Sequence, residues 1–366
     1  MPDPTARRAP DPSTRDPSSH DPGTHDPGSR EHVTLADVAA RAGVSPMTVS
    51  RVVNERPGVG DATRARVRDA VAALGYRPNV VARSLKRSRS HTLGLLVPDV
   101  TNPYFPDLVR GAEDVAFEAG YTLLLHNVIE DAEREAAALA LFEERRVDGV
   151  IAASPRLPED RLHAHLARHG AAVVVNRRAP AALAGSVRVD HEAGAEAALH
   201  HLVRGGARTL GLLAGPATSH AGRERRHGVA RALDATGATL PDARIVEGPP
   251  TIPGGEAAAR DLLTRHPDVD GLVCFNDLVA AGALRAAAAL GRRVPDDIAV
   301  VGYDDIAFAA MFTPALTTLR VPTYAMGGHA MRMLLDRMDG RRRDVGIVVQ
   351  PELVIRDSTR PEEDRA

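Results

Sequence analysis

Eight short, almost wholly apolar runs punctuate this chain from residue 92 onward, and they limit its fold more than any other feature. They read TLGLLVP, YTLLLHN, DGVIAAS, AAVVVN, TLGLLAG, ARIVEG, DGLVCFN and DIAVVGYDD, with helical stretches between them. A strand that is apolar on both faces has to be covered on both faces, so strands of this kind alternate with helices in parallel, doubly wound sheets. The pattern restarts near Asp190, where a helix over 191–205 leads into TLGLLAG, which predicts two similar α/β lobes. In such sheets a ligand lies beyond the carboxyl ends of the strands, so the polar residues that follow each run are candidates for a cleft.

The 366 residues, 43% of them hydrophobic, are enough for two or three domains with real cores. Charge divides the chain. Residues 33–90 hold eleven Lys or Arg against four Asp or Glu, a net of +7, while residues 1–32 stand at −2 and residues 91–366 at −7. A polyanion is therefore a partner for the small basic module alone. Within that module Thr34 can cap LADVAARA, Asp37 completes a capping box, and Gly43 supplies the break. The stretch GVSPMTVSRVVN then opens a second helix, with Ser45 as N-cap and Pro46 at the first helical position, where its missing N–H costs nothing. A third helix runs from about Asp61 to Leu74 and stops at Gly75. Three short helices with a tight turn between the first two make a helix-turn-helix module. RPNVVARSLK, at 77–86, allows only about two helical turns, too few to be stable alone. The segment before residue 33 repeats DPSTR, DPSSH, DPGTH and DPGSR, buries almost nothing and is read as disordered.

Several classes are excluded. No apolar run approaches the roughly 20 residues that span a bilayer, and no apolar stretch follows the N-terminal charges, so a cytoplasmic chain is expected. The single cysteine, Cys274, permits no intramolecular disulfide and reads as a small core residue. His165 and His169 stand four apart in RLHAHLARH without a third ligand, which favours a surface helix over a metal site. Asp190, before HEAGAEAALHHL, reads as a helix N-cap. No GxGxxG follows a strand, and there is no Walker loop or nucleophile elbow, so neither an enzyme nor a cofactor is expected.

TLADVAARAGVSPMTVSRVVN, GYRPNVVARSL, LAGP, FNDLVAAGAL, VGYDD and PALTTLR, in that order, closely resemble the lactose/galactose repressor (LacI/GalR) family of bacterial transcription regulators, over residues 33–358. The resemblance implies an N-terminal all-α helix-turn-helix head and an α/β two-lobed, periplasmic-binding-protein-like core. The implied divisions are a tail (1–32), the DNA-binding head (33–78), a hinge helix and linker (79–90), an N-terminal lobe (91–188 and 321–350) and a C-terminal lobe (189–320 and 351–360). It implies a homodimer on near-palindromic, double-stranded operator DNA, a small-molecule effector and no membrane partner. Met47 and Arg51 would read bases, Arg51 through two bonds to a guanine and Met47 against a thymine methyl. Thr48, Ser50 and Asn54 would position the helix on phosphate, with Tyr76, Asn79, Ala82, Leu85 and Lys86 completing the DNA contacts. Leu85 would be the apolar wedge at the operator centre.

In the core the resemblance nominates Asp99, Asn102, Tyr104, Phe105, Asn176, Arg223, Asn276 and Asp304 as effector ligands, with Arg223 holding ligand hydroxyls or carboxylates. Where several relatives have an aromatic wall, this chain reads EGPPTIPGG, with Pro250 near that point. That favours a small carbohydrate over a stacked purine, in a repressor released by its ligand. The alternatives are a co-repressed or activating regulator that senses a nucleobase or other metabolite, and a sugar-binding protein or enzyme with no DNA role. No leucine heptad closes the chain, so a dimer rather than a tetramer is expected.

Overall fold

A computed structural model describes residues 33–76, 89–341 and 346–360. The chain divides into two compact units, Met1–Arg83 and Ser84–Ala366, each described by itself.

The first unit contains α1 (Leu35–Ala42), α2 (Pro46–Val53) and α3 (Asp61–Leu74). Short helices need their ends satisfied. At α1 the Thr34 hydroxyl accepts from the Asp37 N–H while Asp37 accepts from the Thr34 N–H at 2.7 Å. Gly43, at φ 63°, closes the helix in the left-handed conformation that glycine adopts freely. Ser45 caps α2 by accepting from the Thr48 N–H at 3.2 Å. The apolar faces of the three helices meet in a small core of Val38, Ala39, Ala42, Val49, Val52, Val67, Ala70 and Tyr76.

The second unit begins with β1 (Thr92–Val97), α4 (Tyr104–Glu118), β2 (Thr122–Asn127), α5 (Ala132–Glu144), β3 (Gly149–Ala153), α6 (Glu159–Leu166), β4 (Ala172–Val175) and β5 (Gly185–Val189). It continues through α7 (His191–Arg204), β6 (Leu210–Ala214), α8 (His220–Thr236), β7 (Ile245–Glu247), α9 (Ile252–Arg265), β8 (Gly271–Cys274), α10 (Asp277–Ala289), β9 (Ala299–Val301) and β10 (Thr318–Arg320). The last elements are α11 (Thr323–Met338), β11 (Ile347–Val349) and β12 (Glu352–Val354). One parallel sheet has the order β11-β5-β4-β3-β1-β2, a second β7-β6-β8-β9, and β10 pairs antiparallel with β12. The chain therefore passes between two lobes near residues 190, 321 and 350. The first and third passages touch, since the Asp190 N–H donates to Val349 O at 2.9 Å and Gln350 donates to the Asp190 carboxylate at 3.2 Å. Asp190 also caps α7, accepting from the Ala193 N–H.

Strand order corrects one expectation. YTLLLHN reads as a strand covered on both faces, but β2 lies at the sheet edge, with Leu124 and Leu125 exposed. The central strands β1, β3, β4, β6 and β8 are buried almost throughout, Cys274 among them. In the first sheet the order reverses between β1 and β3, and in the second between β6 and β8. The loops that leave these four strands open at the two switch points, where such folds bind ligands.

Candidate functional site

In the head, α2 has one buried and one exposed face. Val49 and Val52 are buried, whereas Met47 is 68% exposed and Arg51 lies on the same stripe four residues on. The Arg51 guanidinium has no hydrogen-bond partner among the described residues, so the helix presents a free cation beside an uncovered apolar side chain. Thr48 is partly buried and tied to Ser45, their hydroxyls 3.0 Å apart. Ser50 is partly buried too, and its carbonyl accepts from the Asn54 amide at 2.7 Å, which fixes the helix end. Tyr76 is only 9% exposed and packs into the head core. Its ring thus has a structural place that the sequence reading did not give it. Asn79, Ala82, Leu85 and Lys86 lie outside the described residues.

The second unit has a cleft between its lobes at both switch points. The loop after β1 and the start of α4 bring Asn102, Tyr104 and Phe105 to it, and the turn after β2 brings Glu130. Ser154 and Arg156 follow β3; Ser219 and Ala221 come from the loop after β6 and the start of α8; Pro250 precedes α9. Phe275, Asn276 and Asp304 complete the wall from the ends of β8 and β9.

Most of these groups are held by the protein itself. Tyr104 and Phe105 meet edge to face with centroids 5.0 Å apart, and the Tyr104 hydroxyl accepts from Asn176 at 2.8 Å. Asn176 also donates to Ser154 Oγ at 2.9 Å. It lies one layer behind the cleft and orients Tyr104 rather than lining the wall. Asn276 caps α10 through its carbonyl oxygen, at 2.9 Å from the Val279 nitrogen.

Asp304 is 7% exposed and sits at φ 113°, a strained conformation for any residue but glycine. Burial pushes its carboxyl up to about 6, against the pull of the Arg225 guanidinium. Arg225 Nη2 reaches Asp304 Oδ1 at 3.3 Å, and Nη1 donates to Phe275 O. The guanidinium lies over the Tyr303 ring at 3.6 Å and beside Phe275 at 5.0 Å. His191, buried beneath, accepts from Arg225 Nε at 3.4 Å; burial first, then the Arg225 charge, hold its ring well below the usual range and so neutral.

Two nominated residues are elsewhere. The Asp99 carboxylate is occupied by the Thr101 N–H and hydroxyl, at 2.9 and 2.8 Å, and does not line the cleft. Arg223 is exposed and donates to Ala217 O at 3.0 Å. The arginine that binds the cleft residues Asp304 and Phe275 is Arg225, two residues on and about 200° around the helix. Its place was legible: Ala221, Arg225, Gly228, Val229 and Ala232 form one helical stripe, and all but Arg225 are apolar and buried. Glu130, Ser154, Arg156, Ser219 and Phe275 also escaped the sequence reading, although each lies within or just after an apolar run. Helix α6 ends at Leu166, so His169 does not continue it, and no group of three metal-binding side chains occurs among the described residues.

A helix-turn-helix head followed by a two-lobed, doubly wound core with a polar interlobe cleft defines a ligand-responsive DNA-binding regulator. The chain belongs to the LacI family of bacterial regulatory proteins. Residues 34–79 match the family's regulatory-protein model, and residues 90–352 match the model of periplasmic binding proteins and the sugar-binding domain of the LacI family. The chain is 36% identical over 330 residues to the HTH-type transcriptional repressor PurR of Edwardsiella ictaluri (strain 93-146), covering 89% of this chain and 96% of that one. A transcriptional regulator CelR–cellobiose complex is similar at 34% identity and a TM-score of 0.68, covering 89% and 99%. The lac repressor dimer bound to operator and the anti-inducer ONPF is similar at 29% identity and a TM-score of 0.80, covering 89% and 98%. The chain is thus a regulator rather than an enzyme. No helix among the described residues is long and apolar enough to cross a membrane.

Proposed function

We propose that the chain works in the cytoplasm as a homodimer that binds a near-palindromic operator through paired heads and represses transcription until a small carbohydrate enters the interlobe cleft. The observation that carries the effector class is the pairing of charge in the cleft: Arg156 with Glu130 at 2.5 Å, Arg225 with Asp304 at 3.3 Å. Donors and acceptors stand side by side in two neutral pairs, near the rings of Tyr104, Phe105 and Phe275, an arrangement suited to neighbouring hydroxyls on an uncharged ring. A nucleobase is less well served, because Phe275 is already covered by Arg225 and Pro250 stands where a second aromatic face would be needed.

Release requires the ligand to prefer the DNA-incompetent arrangement, and by linkage that preference weakens operator binding equally. The test is fluorescence anisotropy on an operator obtained by binding-site selection, titrated with neutral sugars. Tight, salt-sensitive binding that a sugar weakens is the expected result. Equal affinity for random duplex and selected operator would refute the regulator reading, and a sugar that tightens the complex would invert the order of induction.

A further inference from the structure

The Arg156–Glu130 pair is built with more fixed points than an ion pair at a cleft wall requires. The Arg156 backbone N–H donates at 2.7 Å to Oε2 of Glu135, a carboxylate with no exposure, which also accepts from the Leu157 N–H. Ser154, two residues earlier, is turned to φ 48° and offers its carbonyl to Arg156 Nη1 at 2.7 Å. Nε is bound to Glu130 Oε2 at 2.5 Å. Glu130 is fixed in turn, at φ 57°, with its N–H donating to Pro98 O at 3.1 Å in the loop after β1. Three of the arginine's donors are thus spent on the protein. Nη2 has no hydrogen-bond partner among the described residues and is not sealed from solvent, and Arg156 lines the cleft. Glu130 Oε1 likewise has no hydrogen-bond partner among the described residues.

We propose that Glu130 determines the charge class of the effector: by neutralising the locked Arg156 it tunes the cleft to uncharged polyols, and its loss turns the same cleft toward anions. This deepens the carbohydrate reading and rests on the interlobe cleft being the ligand site. The physical reason is that each lobe holds a cleft-lining charge in an arginine–carboxylate pair, Arg156 with Glu130 and Asp304 with Arg225, so neither pair carries net charge. A phosphate or carboxylate entering it would lose hydration without gaining an unpaired cation. With Glu130 neutral, the rigid guanidinium loses its counter-ion while Nη2 still has hydrogen-bonding capacity to offer, so anionic oxygens gain a charge-assisted donor at the wall.

The test uses the full chain and the variants Glu130→Gln and Glu130→Gln/Arg156→Gln, checked for folding by circular dichroism. Probes are inorganic phosphate and matched neutral and anionic sugars: glucose with glucose 6-phosphate, ribose with ribose 5-phosphate. Calorimetry should show Glu130→Gln gaining at least about tenfold in affinity for phosphate and the phosphosugars over the wild type, equivalent to about 1.4 kcal/mol, with the gain abolished in the double variant. The double variant also subtracts anion binding by the basic head. Wild-type protein that binds phosphosugars in the cleft as well as neutral sugars would overturn the proposal, as would a Glu130→Gln variant without the gain. If no neutral sugar binds the wild type but the phosphate gain appears, the charge assignment stands and the carbohydrate reading fails.

Discussion

Replacing Arg225 with leucine tests the cleft electrostatics most directly. At about 1.36 kcal/mol per pH unit, lifting the Asp304 carboxyl from its ordinary 3.8 to about 6 means that keeping it ionised costs the folded core about 3 kcal/mol at neutral pH. Because the folded value is the higher one, this cost is fully present above pH 6. It is relieved as the pH falls through 6 and the folded protein takes up the proton. Arg225 is the group that restrains the rise. Without it Asp304 is a buried carboxylate with no cation, and removing one partner of a buried pair costs about 3 to 5 kcal/mol. Thermal unfolding at pH 8 should show Arg225→Leu melting roughly 10 °C below wild type, at 2 to 4 °C per kcal/mol for a core of this size. At pH 5, where protonation removes the unpaired charge, at least half of that deficit should vanish. The second substitution Asp304→Asn should recover a similar part at pH 8, and the remainder measures packing lost over Tyr303. A deficit equal at both pH values and untouched by Asp304→Asn would refute this account of the pair.

Further outcomes concern the head and the helix packing. Arg51→Ala should weaken the selected operator by about 1 to 3 kcal/mol and relax the preference at one base pair, read by anisotropy across a set of single-base variants. Equal losses on specific and random DNA would assign Arg51 to phosphate instead. Gly327→Ala should cost at least about 3 kcal/mol in urea unfolding, because a Cβ there would lie 1.9 Å from Leu108 O, where α11 crosses α4. Gly170→Ala is the control: nothing stands within 4 Å of the added carbon and the change should be near zero.

Much of this protein was legible because much of it is set locally. The capping pair Thr34 and Asp37, the Ser45–Pro46 start of α2, the stops at Gly43 and Gly75 and the Asp190 cap all depend on groups within a few residues of each other. Burial on both faces leaves a continuous apolar run, so the central strands announced themselves. These short strands did not: β10, β11 and β12 are three residues each, each with at least one exposed member, and form only because the crossings bring them together.

What the tertiary structure alone decided is which side chains share a space. The apolar content of β2 says nothing of its edge position, since strand order is a property of the whole sheet. The choice of Arg225 over Arg223 depends on which stripe of α8 meets the cleft. The Arg156–Glu130 pair joins residues 26 apart in sequence through the turn after β2 and the loop after β3, and neither residue alone carries a sign of the other. The helices, the caps, the paired lobes and the exposed face of α2 follow from the sequence, because local energetics and hydrophobic periodicity suffice for them. The charge balance of the cleft required the fold, because electrostatic pairing depends on distance in space and on burial, which the topology sets.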